Sequence, residues 1–374
     1  MYFKDIIGQE SVKNRLILSA NQGIVPHAQL FSEPSGAGAF PLALAYARYL
    51  NCKHRSATDS CGTCSSCKKF DQLVHPDIHF VFPIILSKEK KKEICDDYLP
   101  EWRQFVSENP YFDIDKWVNY MGTHSTQALI PVKEASEIIS KLSLKPLEAA
   151  YRCVLIWMPE KMNEESSNRL LKLIEEPPIN TIFLLITENP DQIISTIISR
   201  TQRISIRGIE KDAIAEAMES KYALSAQDAI QVASMSQGSM IKAMEMISLN
   251  EEKAFYLDLF ISMMRNSWTK NVKGMKEAAE TFASLGKEKQ KNFFAYAQHM
   301  IRENFIYNLG NPSLIALNQN ESTFSTKFAP YVNERNVEDL VSELELAERH
   351  VTQNVNPRFV FFDISLKITV LLKR

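Results

Sequence analysis

Two stretches of the chain, Arg152–Met158 and Thr181–Thr187, are apolar at nearly every interior position yet only as long as a strand. A strand with no polar face has to be covered on both sides, which is the situation of a parallel sheet packed between helices. Shorter runs of the same kind occur at Ala28–Ser32, Ile78–Phe82 and Ile204–Ile206. Between them lie helix-like periodicities. One begins near Gln9 and runs through Val12, Leu16 and Ile17, and an Ala- and Leu-rich one reaches about Leu50. Others span Val132–Leu142 and Glu164–Glu176, the last stopped by Pro177 and Pro178. This alternation up to about Arg207 predicts an α/β domain with a mostly parallel sheet, Val154–Trp157 being central. From Ile209 onward the pattern is helix after helix, with short segments at 210–221, 226–236 and 239–248. Further helices run from about Glu251 to the end, looser near 309–325.

Composition narrows the class. The 374 residues fit two or three domains. Forty-three basic against 45 acidic side chains give a net charge of −2, which excludes a strongly basic nucleic-acid coat and an acidic tail. With 45% hydrophobic residues, 11 Gly and 16 Pro, the chain is neither disordered nor collagen-like. No apolar run approaches the roughly 18 residues of a membrane span. The first ten residues are too charged for the core of a secretory signal, so a soluble, cytoplasmic protein is expected.

Four of the six cysteines, Cys52, Cys61, Cys64 and Cys67, fall in one polar loop directly after a helix. Four thiolates suit tetrahedral Zn²⁺ and leave no open position for water, so the expected site is structural. An iron–sulfur site is the alternative, although its usual fourth cysteine would fall at Asp71. Buried unliganded thiols are a third reading, which the Ser-, Gly- and Thr-rich surroundings disfavour. His54 and His75 read as bystanders.

The strand–turn–helix at 28–50 has the outline of a phosphate loop without its chemistry. Such a loop needs Gly-x-x-x-x-Gly-Lys-Ser/Thr, in which N–H groups cradle phosphate, Lys neutralises it and the hydroxyl holds Mg²⁺. Here Glu33 replaces the first Gly, Gly36 and Gly38 remain in the turn, and Ala39 and Phe40 stand at the Lys and hydroxyl positions. The strand expected to end in metal-holding carboxylates ends instead in Trp157 and Met158, with Glu160 too late. Neither tight ATP binding nor intrinsic hydrolysis is expected. Residues 84–130 interrupt the α/β rhythm. A charged run at 88–93 precedes Trp102, Phe105, Tyr111, Phe112, Trp117 and Tyr120. The expectation is an insertion that lays its aromatics on the domain surface, a partner-binding role being the alternative.

With these segments in view, the chain resembles the bacterial clamp-loader subunits of the AAA+ class, the delta-prime type in particular. The resemblance is carried by Gly8-Gln9-Glu10, Pro26-His27-Ala28, the cysteine loop, the block from Asn168 to Pro178, Thr187–Pro190 and Ser195–Thr201. It covers about 1–245, apart from the insertion. It implies a RecA-like AAA+ domain at 1–207, a helical lid at 208–249 and a helical collar for oligomerisation at 250–374. The collar reading adds apolar stripes such as Phe255, Leu259 and Met263, then Phe359, Phe361, Phe362, Ile364 and Leu366. The resemblance also implies gamma or tau and delta subunits as ring partners. Through the ring it implies the beta sliding clamp and primer–template DNA. Arg200, supported by Ser199, takes the place of an arginine finger reaching a neighbour's ATP. Three departures stand out: Thr201 where the family has Cys, Ile241 where the lid pattern has Arg, and the insertion at 84–130, which has no counterpart in the family. The competing readings are an active ATP-driven motor, which would need Lys at 39 and Ser or Thr at 40, and a zinc-loop nucleic-acid binder, which the net charge disfavours.

Overall fold

The computed structural model describes residues 1–86, 92–122, 128–308, 317 and 319–373. Most of the 88–93 charge run and much of the 309–325 stretch therefore lie outside the described residues. The chain divides into two units, Met1–Ile247 and Ser248–Arg374.

In the first unit, helix α1 (Glu10–Gln22) leads to β1 (Ala28–Ser32), α2 (Ala39–Asn51), α3 (Ser65–Asp71) and β2 (Ile78–Val81). There follow α4 (Leu99–Glu108), α5 (Ile114–Tyr120), α6 (Val132–Ser143), β3 (Arg152–Trp157), α7 (Glu164–Glu175), β4 (Thr181–Thr187), α8 (Ser195–Ile198) and β5 (Gln202–Ser205). The strands form one parallel sheet in the order β2-β3-β4-β1-β5. Every residue of β3 and β4 is buried, as two-sided helical cover requires. Their register aligns Val154 with Phe183 and Ile156 with Leu185, while β1 aligns Leu30 with Leu185. The last strand starts two residues earlier than expected, at Gln202. Helices α9 (Lys211–Tyr222) and α10 (Ala226–Met235) bring Ile214, Met218, Ala229 and Val232 into a second apolar cluster with Met240 and Ile241.

Helix α11 (Met240–Thr269) corrects the expectation of a short helix at 239–248, because it runs for 30 residues. Nothing at 249–251 breaks it: the sequence there is Leu-Asn-Glu, with neither Gly nor Pro. The second unit continues with α12 (Val272–Ala283), α13 (Lys287–Asn308), α14 (Gln319–Phe328), α15 (Val337–Thr352) and α16 (Pro357–Leu371). Its core gathers Phe260, Phe282, Phe293, Phe294, Leu340 and Phe361. The stripes noted in the sequence split. Leu259, Met263, Phe361 and Ile364 belong to this core, whereas Phe359 stays 72% exposed and Leu366 42% exposed.

The insertion packs its aromatics against the domain, as expected, and buries most of them there. Its ends are tied by an antiparallel bridge between Ile84 and Leu129. Trp102, Phe105, Tyr111, Phe112 and Trp117 are buried, whereas Tyr120 stays 37% exposed. Trp102 stacks on Phe82 with ring centroids 4.1 Å apart and meets Trp117 edge-on at 5.1 Å. The Trp117 indole N–H donates to the carbonyl of Pro83 at 2.8 Å. Trp102, Phe105, Phe112 and Trp117 join the same buried core as Phe40, Phe82 and Trp157, so the insertion extends the core of the sheet domain. Truncating Trp102 to Ala should cost about 3–5 kcal/mol of stability. Urea unfolding checks this, and a loss under about 1 kcal/mol would mean that the rings pack independently of one another.

Candidate functional site

In open parallel sheets, ligands sit beyond the C-terminal ends of the strands. At that end the turn after β1 delivers the chain into α2. Gly36 and Gly38 both take left-handed conformations, with φ of 81° and 95°, and Gly38 caps the helix. The first N–H groups of a helix have no partner within it and make an anion site. Here the anion comes from the chain itself. A carboxylate oxygen of Glu33 accepts the Ala39 N–H at 2.8 Å, while the Glu33 N–H donates to the Thr187 carbonyl at 3.0 Å. Burial pushes the Glu33 carboxyl up to about 8, against the opposing pull of the Ala39, Gly38 and Ala37 N–H groups; the nearby charge of Glu188 raises it further. Glu160 and Glu188 are likewise pushed up, chiefly by burial. Thr187 Oγ1 donates to Glu160 at 2.9 Å, so Glu160 faces the same strand ends. Burial at this mouth disfavours charge on all three carboxyls, and the Glu33 side chain occupies the N–H groups that a phosphate would need.

The insertion covers this loop. A Cβ on Gly38 would stand 2.8 Å from the Tyr111 ring, so Tyr111 lies directly on the turn. Its hydroxyl accepts the Ile7 N–H at 2.9 Å. Phe40 meets Phe112 at 5.0 Å and Trp102 at 5.6 Å, and Trp157 meets the same two rings at 4.9 and 5.5 Å. The two departures from phosphate-loop chemistry, in α2 and at the end of β3, thus face one aromatic cluster. From the other side, the Gly36 carbonyl accepts the Met240 N–H at 3.0 Å. Buried Ile241 packs against Gly36, where the family pattern has an arginine. Gln9 adds a clasp, its side-chain amide donating to the carbonyls of Ala37 and Arg207. Sequence reasoning identified Glu33, Ala39 and Phe40 but missed Tyr111, Phe112, Trp102 and Glu188. The signal available was the pairing of aromatic substitutions at 40 and 157 with an aromatic-rich insertion.

The cysteine loop comes together as expected. The Sγ atoms of Cys52, Cys61, Cys64 and Cys67 lie within 4.8 Å of one another and could hold a metal ion. Tetrahedral Zn–S bonds of about 2.3 Å put sulfurs roughly 3.8 Å apart, so the set fits with small adjustments. Backbone N–H groups point at the sulfurs: Cys61 N–H at Cys52 and Cys67 N–H at Cys64, which caps α3. The N–H of Cys64 lowers the Cys61 thiol to about 5. Neither histidine joins the set; buried His75 accepts the Asp77 N–H through Nδ1 at 3.2 Å. The loop also holds the N-terminal segment. Asp59 accepts the N–H groups of Phe3 and Lys4, and Arg48, which pairs with Asp71, lies 3.7 Å over the Tyr2 ring.

Arg200 follows α8. Its Nε pairs with Glu175 at 3.0 Å, and a terminal nitrogen donates to the Thr196 carbonyl at 3.1 Å. Ser199 is exposed and donates to the same carbonyl. Both residues sit apart from the covered loop's contacts just described.

The Glu33 environment makes a pH prediction. A carboxyl raised from 4.5 to about 8 on folding contributes its stability fully below pH 4.5 and loses it as the pH rises through 8. Glu33→Gln keeps an acceptor for Ala39 but cannot ionise. Its urea midpoint should therefore gain on that of the wild type steadily between pH 5 and pH 8. Parallel profiles for the two proteins would contradict the assignment.

Residues 8–210, over half of the chain, match the family described as DNA polymerase III, delta subunit. The chain is 28% identical over 212 residues to DNA polymerase III subunit tau of Bacillus subtilis, covering 57% of this chain and 30% of that one. It is 28% identical over 213 residues to subunit gamma of Buchnera aphidicola, covering 57% and 47%. It spans less than half the length of these curated relatives. Among solved structures, a DNA polymerase III gamma-subunit-related protein from Thermotoga maritima aligns over 97% of this chain and 99% of that one, with 13% identity and a TM-score of 0.38. On the family match across the sheet and its flanking helices, the chain belongs to the DNA polymerase III delta-subunit family.

Proposed function

We propose that the protein is a delta-prime-type, non-hydrolysing subunit of a bacterial clamp loader, working in the cytoplasm. It completes a ring with delta and gamma or tau subunits that places the beta sliding clamp on primer–template DNA. The observation that carries this reading is the phosphate loop holding its own carboxylate under an aromatic cover. A loop in that state has neither the space nor the charge for ATP and Mg²⁺, so an active motor is disfavoured. In this reading residues 1–207 are the RecA-like AAA+ domain, 208–249 the lid and 250–374 the collar. The exposed row Phe359, Leu366 and Val370 on α16 offers the collar an apolar face.

Within the ring, Arg200 is the group that acts on a neighbour. A guanidinium bridges phosphate oxygens and offsets the charge that builds during phosphoryl transfer. Its partnership with half-exposed Glu175 is no obstacle, because exposed ion pairs are worth about 0–1 kcal/mol. Arg200→Ala should leave folding and ring assembly intact and lower the clamp- and DNA-stimulated ATPase of the adjacent gamma or tau subunit. Arginine fingers are worth roughly 10³–10⁵ in single-site systems, and a ring with several sites should show less. Reconstituted rings that match wild type in ATPase and clamp loading would remove the finger role.

The cysteine loop is proposed to hold one structural zinc. The four thiolates would supply a closed donor set, and the metal would fix the loop and, through Asp59, the N-terminal segment. Metal analysis should find one zinc per chain. Cys64→Ser should lower that content and open the first residues to proteolysis. Iron with inorganic sulfide, or no metal, would contradict it.

A further inference from the structure

We propose that the unit from Ser248 to Arg374 carries a docking cavity for an acidic linear segment of a partner protein, which inserts one large apolar side chain. The cavity, of about 240 Å³, lies between α11, α14 and the end of α16. Met264, Phe324 and Phe328 line its interior. Trp268 and Tyr331, with ring centroids 4.6 Å apart, wall one side and stay 42% and 39% exposed. Small-molecule sites run about 300–1,000 Å³, so this hole is the size of a single aromatic or branched aliphatic side chain. A buried apolar anchor of that kind is what dominates peptide and protein recognition.

The edge supplies the rest of the partner's chemistry. Arg265 and Lys327 border the cavity, and Lys373 lies 5.9 Å over the Trp268 ring. Lys270 stands close to Lys373; partial desolvation and the Lys270 charge lower the Lys373 pKa. Among the described residues, no carboxylate lies within 4 Å of any of these four cations. Cations that have no carboxylate within 4 Å among the described residues, set beside a hydrocarbon hole, complement carboxylates flanking an apolar anchor. Single-stranded nucleic acid also stacks on aromatic rings, but it takes a track of cations along a groove. A one-residue hole lined by Met and Phe fits a side chain better. This proposal does not depend on the clamp-loader reading.

The test uses the full chain and a fluorescein-labelled octapeptide of alternating glutamate and serine with one central phenylalanine. Anisotropy should show saturable binding, weakened about ten- to a hundredfold when alanine replaces the phenylalanine. The pair Arg265→Glu and Lys327→Glu, checked for folding by circular dichroism, should weaken it at least tenfold. The peptide should also shift the emission of Trp268, a change that Trp268→Phe removes. Equal binding of the alanine peptide, tighter binding of an oligodeoxythymidylate, or no binding up to roughly 1 mM would each overturn the proposal. So would self-association of the chain that the charge reversal abolishes, since the cavity would then belong to a second copy.

Discussion

The first turn of α2 presents N–H groups that no helical carbonyl can reach, at the end of the sheet where a ligand would bind. Glu33 answers that demand from within the chain. The Glu33 carboxyl on the Ala39 N–H satisfies the helix start from within the chain. Once that position is taken, no lysine or hydroxyl is needed to neutralise phosphate or hold Mg²⁺. Ala39 and Phe40 are free to be apolar, and both are buried.

The aromatic cluster follows from the same substitution. Phe40 and Trp157 come from different elements, yet each packs on Trp102 and Phe112. Removing charge from both positions exposes two apolar surfaces, and the insertion between β2 and β3 buries them together. Tyr111 extends the cover onto Gly38 and joins the second cluster, with Ile209, Ile214 and Ile241.

Much of this was legible in the residues. Strands β1 and β4 begin and end where their apolar runs do, because strands buried on both faces leave no ambiguous boundary. Strand β5 was placed two residues late: only Ile204 in it is buried, and exposed Gln202, Arg203 and Ser205 gave no strand signal. The long α11 crosses the expected domain junction near 249, where the sequence carries no Gly or Pro to end a helix. The insertion's aromatics pack on the domain as their density suggests, although loop sequences carry no periodicity to say which domain residues they meet. The cysteine spacing, by contrast, brings all four sulfurs together as expected, because Cys61, Cys64 and Cys67 recur every three residues around the start of α3.

The central claim is that the loop is filled by Glu33 and the aromatic cover, so this chain has no place for ATP. Equilibrium dialysis of the purified full-length protein against labelled ATP and Mg²⁺ at micromolar concentrations tests it most directly. The account predicts no saturable binding. Binding of one ATP per chain, with turnover, would contradict it.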